Sequence, residues 1–463
     1  EVVALWVCTQ CQKTIPANAK PLCDCGGEAR LKEIRGSTPA SRFLVLELAE
    51  RLPFEPRILG YLRLDPPIPR MHRRTPEGVE RDIRERIFPR DWFHPTYEGG
   101  ADWQKALDRV NTAAARIARV VVHPDYRSEG FGALLVRVAL EWAKERGAPE
   151  ARREKHLVYT IAQMARYHPF FEKVGFRYLF DTASGRPVLF YPLTEEAEAH
   201  LERFLREDPY AKAHGGRLYK PRFGRVPGLP GPIRLAGVHK AYRSHLDLEG
   251  LSREVQEALL AFGVKARVVE RAVLRGASLE IPPGSLVVLA GASGAGKTTL
   301  LRLLLGEAPD AGEVAVPPGR RVAYIPGERE VDLGEAPILE AVYRRLKDVG
   351  AAIEVLNRVG LSDAVLYRAR PHELSTGQRE RFRLALLLAE RPDLLLIDEF
   401  AAHLDVPTAR RVALGLGKLC REAGVTLVAA THRPEVVAAL DPDLLVYVGY
   451  GGLTTVPRRG PRT

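Results

Sequence analysis

The sequence predicts a multidomain α/β chain, and three observations carry that prediction. The chain has 463 residues, enough for more than one hydrophobic core and, as a prior, about three domains. Twice, a compact β-branched run leads through a glycine-bearing turn into residues with helical apolar spacing. These runs are Ala115–His123 before Phe131–Arg146, and Ser285–Ala290 before a stretch of Leu and Arg. Four of the five cysteines fall in two close pairs near the start, which points to a metal site in a reducing compartment rather than a disulfide framework. By composition the chain divides into 1–35 with the paired cysteines, 36–200 mixing strands and helices, 201–234 as a basic Pro/Gly-rich linker, and 235–463 as a second α/β domain.

The elements follow in order. In the second region Phe131–Arg146 carries Leu134, Leu135, Val138, Ala139 and Trp142 at helical spacing. Leu157–Ala162 and Pro187–Tyr191 read as strands, and Pro169–Val174 as a helical turn. Arg70–Arg90 places Val79, Ile83 and Ile87 four residues apart and reads as an inserted amphipathic helix. In the last region Ser285–Ala290, Leu394–Ile397 and Val425–Ala430 read as buried strands, and Arg379–Glu390 as a helix. Cys420 reads as a core residue of a helix.

Composition bounds the class. Hydrophobic residues make up 46% and charged residues 27%, the balance of a soluble globular protein. No apolar run approaches about 18 residues, so no membrane partner and a cytoplasmic location are expected. Glu1–Trp6 lacks a basic n-region and does not read as a signal peptide, and a first residue other than Met leaves room for a few residues before it. The formal charge is +11, from 69 Lys+Arg against 58 Asp+Glu. The excess is clumped: Tyr210 to Leu246 contains no acidic residue but holds Lys212, Arg217, Lys220, Arg222, Arg225, Arg234, Lys240 and Arg243. A solvated surface is the plain reading; an anionic partner, nucleic acid or a nucleoprotein, is the sharper one.

The chemistry concentrates in the last region. Gly291-Ala-Ser293-Gly294-Ala295-Gly296-Lys297-Thr298-Thr299 is G-x-x-x-x-G-K-T between a strand and a helix. Its glycines let backbone N–H groups close on phosphate oxygens, and the helix start adds a positive dipole end. Lys297 would reach the β- and γ-phosphates of ATP, and the Thr298 hydroxyl would ligate Mg²⁺. Leu394–Ile397 runs into Asp398, a further Mg²⁺ ligand, and Glu399, placed to orient or deprotonate the attacking water. Leu374-Ser375-Thr376-Gly377-Gln378 opens a helix between these motifs, Ala401–Asp405 follows the carboxylates, and Thr431-His432 ends the next strand.

In that order and spacing the chain from about Leu235 onward resembles the ABC ATPase family. The resemblance implies an ATP-hydrolysing head-to-tail homodimer, with Glu399, Lys297 and His432 catalytic. Ser375 and Gly377 would meet the γ-phosphate held by the other protomer, Gln378 would join the ATP-binding residues, Asp405 would help seal the dimer, and His432 would sense the γ-phosphate. Three features depart. Thr376 stands where the family has Gly. Gly327 follows Val322–Pro326 where the family has a relay Gln. Tyr242 is the one candidate for an adenine-stacking aromatic.

The second region carries Arg127-Ser-Glu-Gly130-Phe131-Gly132-Ala133 at the end of a strand, then Ala165-Arg-Tyr167-His168-Pro-Phe170-Phe171-Glu172-Lys173-Val-Gly175-Phe176. The first motif is another anion cradle. Together they resemble the GNAT acyltransferase family. The resemblance implies acetyl-CoA along Val120, Val121 and Val122 and over Arg127, Gly130, Phe131, Gly132 and Ala133. Phe171 stands where many members have an acid Tyr, so Tyr167 or His168 is the candidate for acyl transfer. Cys8-x-x-Cys11 and Cys23-x-Cys25 resemble a zinc ribbon, four thiolates suiting structural Zn²⁺.

The whole order resembles a group of ABC ATPases fused to a predicted acetyltransferase. It implies an ATP-gated N-acetyltransferase acting on nucleic acid or a nucleoprotein. Two alternatives stand beside it: a non-transferring mechanochemical factor with the GNAT fold as sensor or docking module, and the ATPase subunit of a transporter.

Overall fold

The chain divides into two units, Glu1–Leu218 and Tyr219–Thr463. The computed structural model describes residues 4–8, 10–11, 14–17, 22–31, 41–50, 53, 55–68, 70–93, 112–123, 126, 130–145, 154–246, 248–264, 267–327, 332–449 and 451–458.

The first unit begins with a small antiparallel sheet, Ala4–Cys8 lying between Thr14–Ala17 and Ala29–Leu31. A six-stranded sheet follows in the order Arg177–Asp181, Pro187–Pro192, Leu157–Ile161, Ala114–Val122, Ile58–Asp65, Arg42–Glu47. Its one parallel pair is Ala114–Val122 with Leu157–Ile161, and the helix Phe131–Glu145 supplies the crossover such a pair requires. That pairing stops at Ile117 and Thr160. On its other side the same strand stays paired out to Val122. The end of the strand is therefore bonded on one side only, which opens a notch beside Val120–Val122.

The helix buries Leu135, Val136, Ala139, Leu140 and Ala143, while Leu134 and Val138 face out. Its apolar stripe is thus rotated by one position from the spacing read in the sequence. The Arg70–Arg90 helix is a correction. Arg73–Thr75 and Gly78–Glu80 form a hairpin, and only Arg84–Ile87 is α-helical. Thr75-Pro-Glu-Gly78 is turn chemistry, with Gly78 at φ 141°, and it breaks the helix that the apolar spacing implies. Ile83 and Ile87 are buried and Val79 is exposed.

Residues 201–234 are shared between the units. Glu195–Glu207, capped by Thr194, and Pro209–His214, capped by Asp208 with Pro at its first position, are helices of the first unit. Farther on, the chain is pinned to the second unit. The amides of Arg222 and Phe223 donate to the buried Glu354 carboxylate at 2.6 and 3.0 Å. Gly228 N–H donates to Asp393 at 3.0 Å. A Pro/Gly-rich strip makes no ladder, so its amides find scattered partners: these carboxylates and, for Val226 N–H, the Ala423 carbonyl at 2.8 Å. Much of the basic cluster is compensated through space: Arg222 meets Asp348, Arg234 Glu280, Lys240 Glu307, and Arg243 Glu270.

The second unit is built on a six-stranded sheet ordered Val322–Ile325, Leu394–Ile397, Thr426–Ala430, Leu286–Ala290, Leu444–Gly449, Gly452–Pro457. The first five are parallel and the last is an antiparallel edge. Both faces are covered, which explains the continuous apolar runs. Leu395 and Ile397 face the helices Ile338–Leu346, Val349–Arg358, Thr376–Ala389 and Val406–Ala423. Leu394 and Leu396 face the helix Lys297–Leu304 and the antiparallel sheet of Ile233–Leu246, Arg267–Ile281 and Ala311–Ala315. Cys420 is buried and its thiol is pushed up to about 12 by that burial. Among the described residues no helix is long and apolar enough to cross a membrane.

Candidate functional site

Parallel strands carry all their carboxyl ends to one edge, where doubly wound sheets bind ligands. Here four ends meet. Ile325 is level with Ile397, Ile397 with Ala429, and Leu289 with Ala430. The residues that follow these ends are Gly327, Asp398 with Glu399, Thr431 with His432, and the loop Gly291–Gly296.

The loop is shaped by absent side chains. Gly291 sits at φ 143°, and a Cβ there would fall 2.3 Å from the Val448 carbonyl oxygen. Gly296 sits at φ 112°, its Cβ position 2.5 Å from Val273. Ser293 and Gly294 are exposed, Ala295 is half-buried, and Thr299 is buried in the helix that follows. Lys297 Nζ donates to the carbonyls of Gly291 and Ala292, both at 2.8 Å, so the lysine curls over the hollow of its own loop. The Thr298 hydroxyl donates to Asp398 Oδ2 at 2.7 Å. A hydroxyl and a buried carboxylate at that separation form an oxygen set suited to Mg²⁺. Cradle, lysine and oxygen pair together fit ATP with Mg²⁺.

Ser375 caps the helix Thr376–Ala389 in a capping box. Its N–H donates to Gln378 Oε1 at 2.9 Å, and its hydroxyl accepts from Gln378 N at 3.3 Å. The hydroxyl proton remains available to an outside acceptor. A Cβ on Gly377 would lie 3.0 Å from Leu404, so this turn packs on the 401–405 turn. Asp405 caps the helix Val406–Ala423 by accepting from Thr408 N at 2.9 Å, and that N–H holds its carboxyl below the ordinary range. His432 is exposed. Among the described residues, no hydrogen bond joins Ser375, Gly377 or Asp405 to the Gly291–Thr298 loop; these groups form a second cluster.

Two residues escaped sequence reasoning. Arg433 donates to the carbonyls of Ala401 (2.7 Å) and Leu404, fixing the turn after the carboxylates. Arg271 donates to Gly294 O at 3.0 Å and rims the loop. Both act on backbone carbonyls and leave no motif. Tyr242, by contrast, is tied through its hydroxyl to Glu307 at 3.3 Å and packs on the core.

In the first unit the notch beside Val120–Val122 meets the start of the helix Phe131–Glu145. Gly130 at φ 89° opens the turn. Leu134 N–H is bonded to Gly130 O, so the amides of Phe131, Gly132 and Ala133 precede the helical ladder. A Cβ on Gly132 would come 3.0 Å from the Phe170 ring and 3.7 Å from Val122. Strand end, helix start and the second motif therefore converge, a fit for the phosphates of acetyl-CoA. Arg127 lies outside the described residues. Phe171 is buried in a ring cluster with Phe170 and Phe176. His168 is drawn down to about 4, by burial and then by the Lys173 charge, and its buried Nδ1 has no hydrogen-bond partner. Tyr167 closes the preceding turn through its N–H to Met164 O.

The four thiols converge as well. All ligand atoms of Cys8, Cys11, Cys23 and Cys25 lie within 4.8 Å of one another. Cys8–Cys25 and Cys11–Cys23 are 3.4 and 3.5 Å apart. A tetrahedron with Zn–S of about 2.3 Å has edges of about 3.8 Å, so the set fits Zn²⁺. Gly27 lets the second pair close, its Cβ position being 2.7 Å from Cys8 Sγ.

Comparison with known proteins gives the following. The family described as ABC transporter matches residues 274–402, and that described as acetyltransferase (GNAT) domain matches residues 98–178. The methionine import ATP-binding protein MetN of Mesorhizobium japonicum is 34% identical over 209 residues, 40% of this chain and 56% of that protein. The zinc import ATP-binding protein ZnuC of Ruegeria pomeroyi is 34% identical over 198 residues, 42% of this chain and 75% of that protein. The lipoprotein-releasing system ATP-binding protein LolD 1 of Rhodospirillum rubrum is 35% identical over 193 residues, 36% of this chain and 84% of that protein. The chain thus spans little more than half of the first of these relatives. A solved dimeric, post-hydrolysis ATP-binding cassette, MJ0796, is 22% identical, covers 50% of this chain and 100% of its own, and gives a TM-score of 0.37.

Proposed function

Because this chain belongs to the family of ABC-type ATP-binding proteins through its second unit and carries a GNAT domain in its first, we propose that it hydrolyses ATP as a homodimer and thereby gates acetyl transfer. The observation that carries the hydrolytic half is the Thr298–Asp398 contact of 2.7 Å beside Lys297 and Glu399. In this reading the phosphates of ATP would draw Lys297 from its loop carbonyls, and Thr298 and Asp398 would hold Mg²⁺, which would offset phosphate charge. Glu399 takes a proton from the attacking water, and His432 faces the γ-phosphate. The Ser375 hydroxyl and Gly377 are donors without a phosphate of their own, which supports a second copy, sealed by Asp405, as the source of one.

In the acetyl half, the amides of Phe131–Ala133 and the charge of Arg127 would hold the CoA phosphates, with Val120–Val122 along the cofactor. An acceptor amine would bond to the acetyl carbon as the thioester C–S bond breaks, losing one proton as the CoA sulfur gains one. The acceptor class is an amine on a nucleic acid or nucleoprotein. Zn²⁺ on Cys8, Cys11, Cys23 and Cys25 would be structural.

A second reading keeps acetyl-CoA as a sensed ligand without transfer. It is favoured by the burial of Phe171 where an acid would stand and by a His168 that is neutral at ordinary pH. The pairing of Arg222, Arg234, Lys240 and Arg243 with carboxylates weakens the case for an anionic partner on that stretch. The import functions in the relatives' names favour a transporter subunit, which stable co-purification with a membrane protein would support. Labelled acetyl-CoA, incubated with the chain and RNA or ribosomes with and without ATP, separates the first two readings. ATP-dependent label on the acceptor is expected from the leading one. Tight binding without transfer favours the sensor.

A further inference from the structure

We infer that Gly327 is a positioning residue for the Glu399 carboxylate, an inference that rests on the hydrolytic reading above. The strand Leu394–Ile397 turns sharply after Asp398. Two non-glycine residues of that turn are left-handed, Glu399 at φ 49° and Ala401 at φ 63°, a backbone that persists only where its surroundings over-determine it. They do so here. Asp398 N–H is bonded to Ile325 O and Phe400 N–H to Ala430 O, each at 2.8 Å. Glu399 N–H is bonded to Asp398 Oδ1 at 3.1 Å, and Arg433 holds Ala401 O at 2.7 Å. The Glu399 backbone is fixed, and only its side-chain torsions can move the carboxylate.

The carboxylate lies against Gly327. A Cβ at that residue would stand 3.0 Å from Glu399 Cδ and 3.1 Å from both Cγ and Oε2. Gly327 cannot easily withdraw, because Ile325, two residues earlier, is paired with Ile397 and accepts from Asp398. Nor does its own backbone demand glycine, since its φ is not in the left-handed region. What the missing side chain provides is space, and the Glu399 carboxyl end occupies it. A Cβ at 327 presses the Glu399 carboxyl end off this resting place by a few tenths of an ångström, and Glu399 supplies all three of the nearest atoms it would meet.

The test is Gly327→Ala in the full chain, with ATP turnover, affinity for a non-hydrolysable ATP analogue, and thermal midpoint read together. A displaced general base costs about tenfold or more in kcat, with analogue affinity within about twofold and an unchanged midpoint. Glu399→Asp draws the carboxyl back by one methylene. In that background the alanine penalty shrinks below about threefold, as coupled neighbours require. Wild-type kcat in Gly327→Ala overturns the inference. So does an equal loss in both backgrounds, with or without a fall in midpoint, since that is a general structural effect. A wild-type chain that binds ATP and never hydrolyses it overturns this inference together with the hydrolytic reading.

Discussion

The glycine-opened helix starts at Gly291–Thr298 and Gly130–Ala133 both offer backbone amides to an anion, and they are furnished differently. At Gly291–Thr298 the glycines are backed by charge and chemistry: a lysine over the hollow, a hydroxyl on a buried carboxylate, and a second carboxylate in a strained turn. At Gly130–Ala133 the contacts are mainly apolar and aromatic: Val122 and the Phe170 ring lie against Gly132, and the Tyr126 ring, itself beside His123, lies against Phe131. His168, one candidate for proton transfer, is held neutral by burial. The first site carries the groups needed to break a bond; the second carries a cradle suited to a cofactor. An anion cradle thus reports binding, and only the side chains around it report reaction.

The largest effects should break the first site alone. Lys297→Ala removes a group bonded only to its own loop, so ATP turnover should fall by about a thousandfold or more with the fold intact, read as phosphate release. Glu399→Gln should cut turnover by about a hundredfold or more while ATP binding persists. Light scattering with ATP should then find a dimer; a monomer would contradict the shared-site reading of Ser375 and Gly377. The second site should break independently. Gly132→Ala places a methyl 3.0 Å from the Phe170 ring and should weaken acetyl-CoA binding by about tenfold, measured calorimetrically, with ATP turnover unchanged. Cys11→Ser should lower the zinc content measured by elemental analysis and the thermal midpoint of the first unit, with ATP turnover again unaffected.

The smallest effect concerns pH. His168 titrates near 4 when folded and near 6.5 when unfolded. The unfolded chain therefore binds the extra proton between those values. Stability from this group is full above about 6.5 and is lost as pH falls toward 4, by on the order of 2 kcal/mol at pH 5 and on the order of 3 kcal/mol at pH 4. The thermal midpoint of the first unit should drop by a few degrees between pH 7 and pH 5. His168→Gln should flatten that slope.

Much of this was legible in the chain itself. Motifs whose residues are close in sequence and act through backbone, such as Gly291–Thr298 or Gly130–Ala133, declare their local geometry because glycine is needed where a Cβ would clash. Continuous apolar runs marked the strands of a sheet covered on both faces. Arg70–Arg90 misled because apolar spacing is shared by helices and by the buried side of a hairpin, and Thr75-Pro-Glu-Gly78 outweighed it. Arg433 and Arg271 were invisible because the contacts by which they shape the site are to carbonyls, which every residue has.

The sequence alone determined the order of the chemical parts, the apolar patterning of the sheets, and the four thiols that fit a zinc site, because each is written in residues a few positions apart. Tertiary structure decided what those parts touch. It brought Thr298 to Asp398 across a hundred residues, compensated the basic stretch with distant carboxylates, and laid Glu399 in the space above Gly327. Contacts of that kind depend on strand register and on which side chains are missing, and neither can be read until the strands are paired.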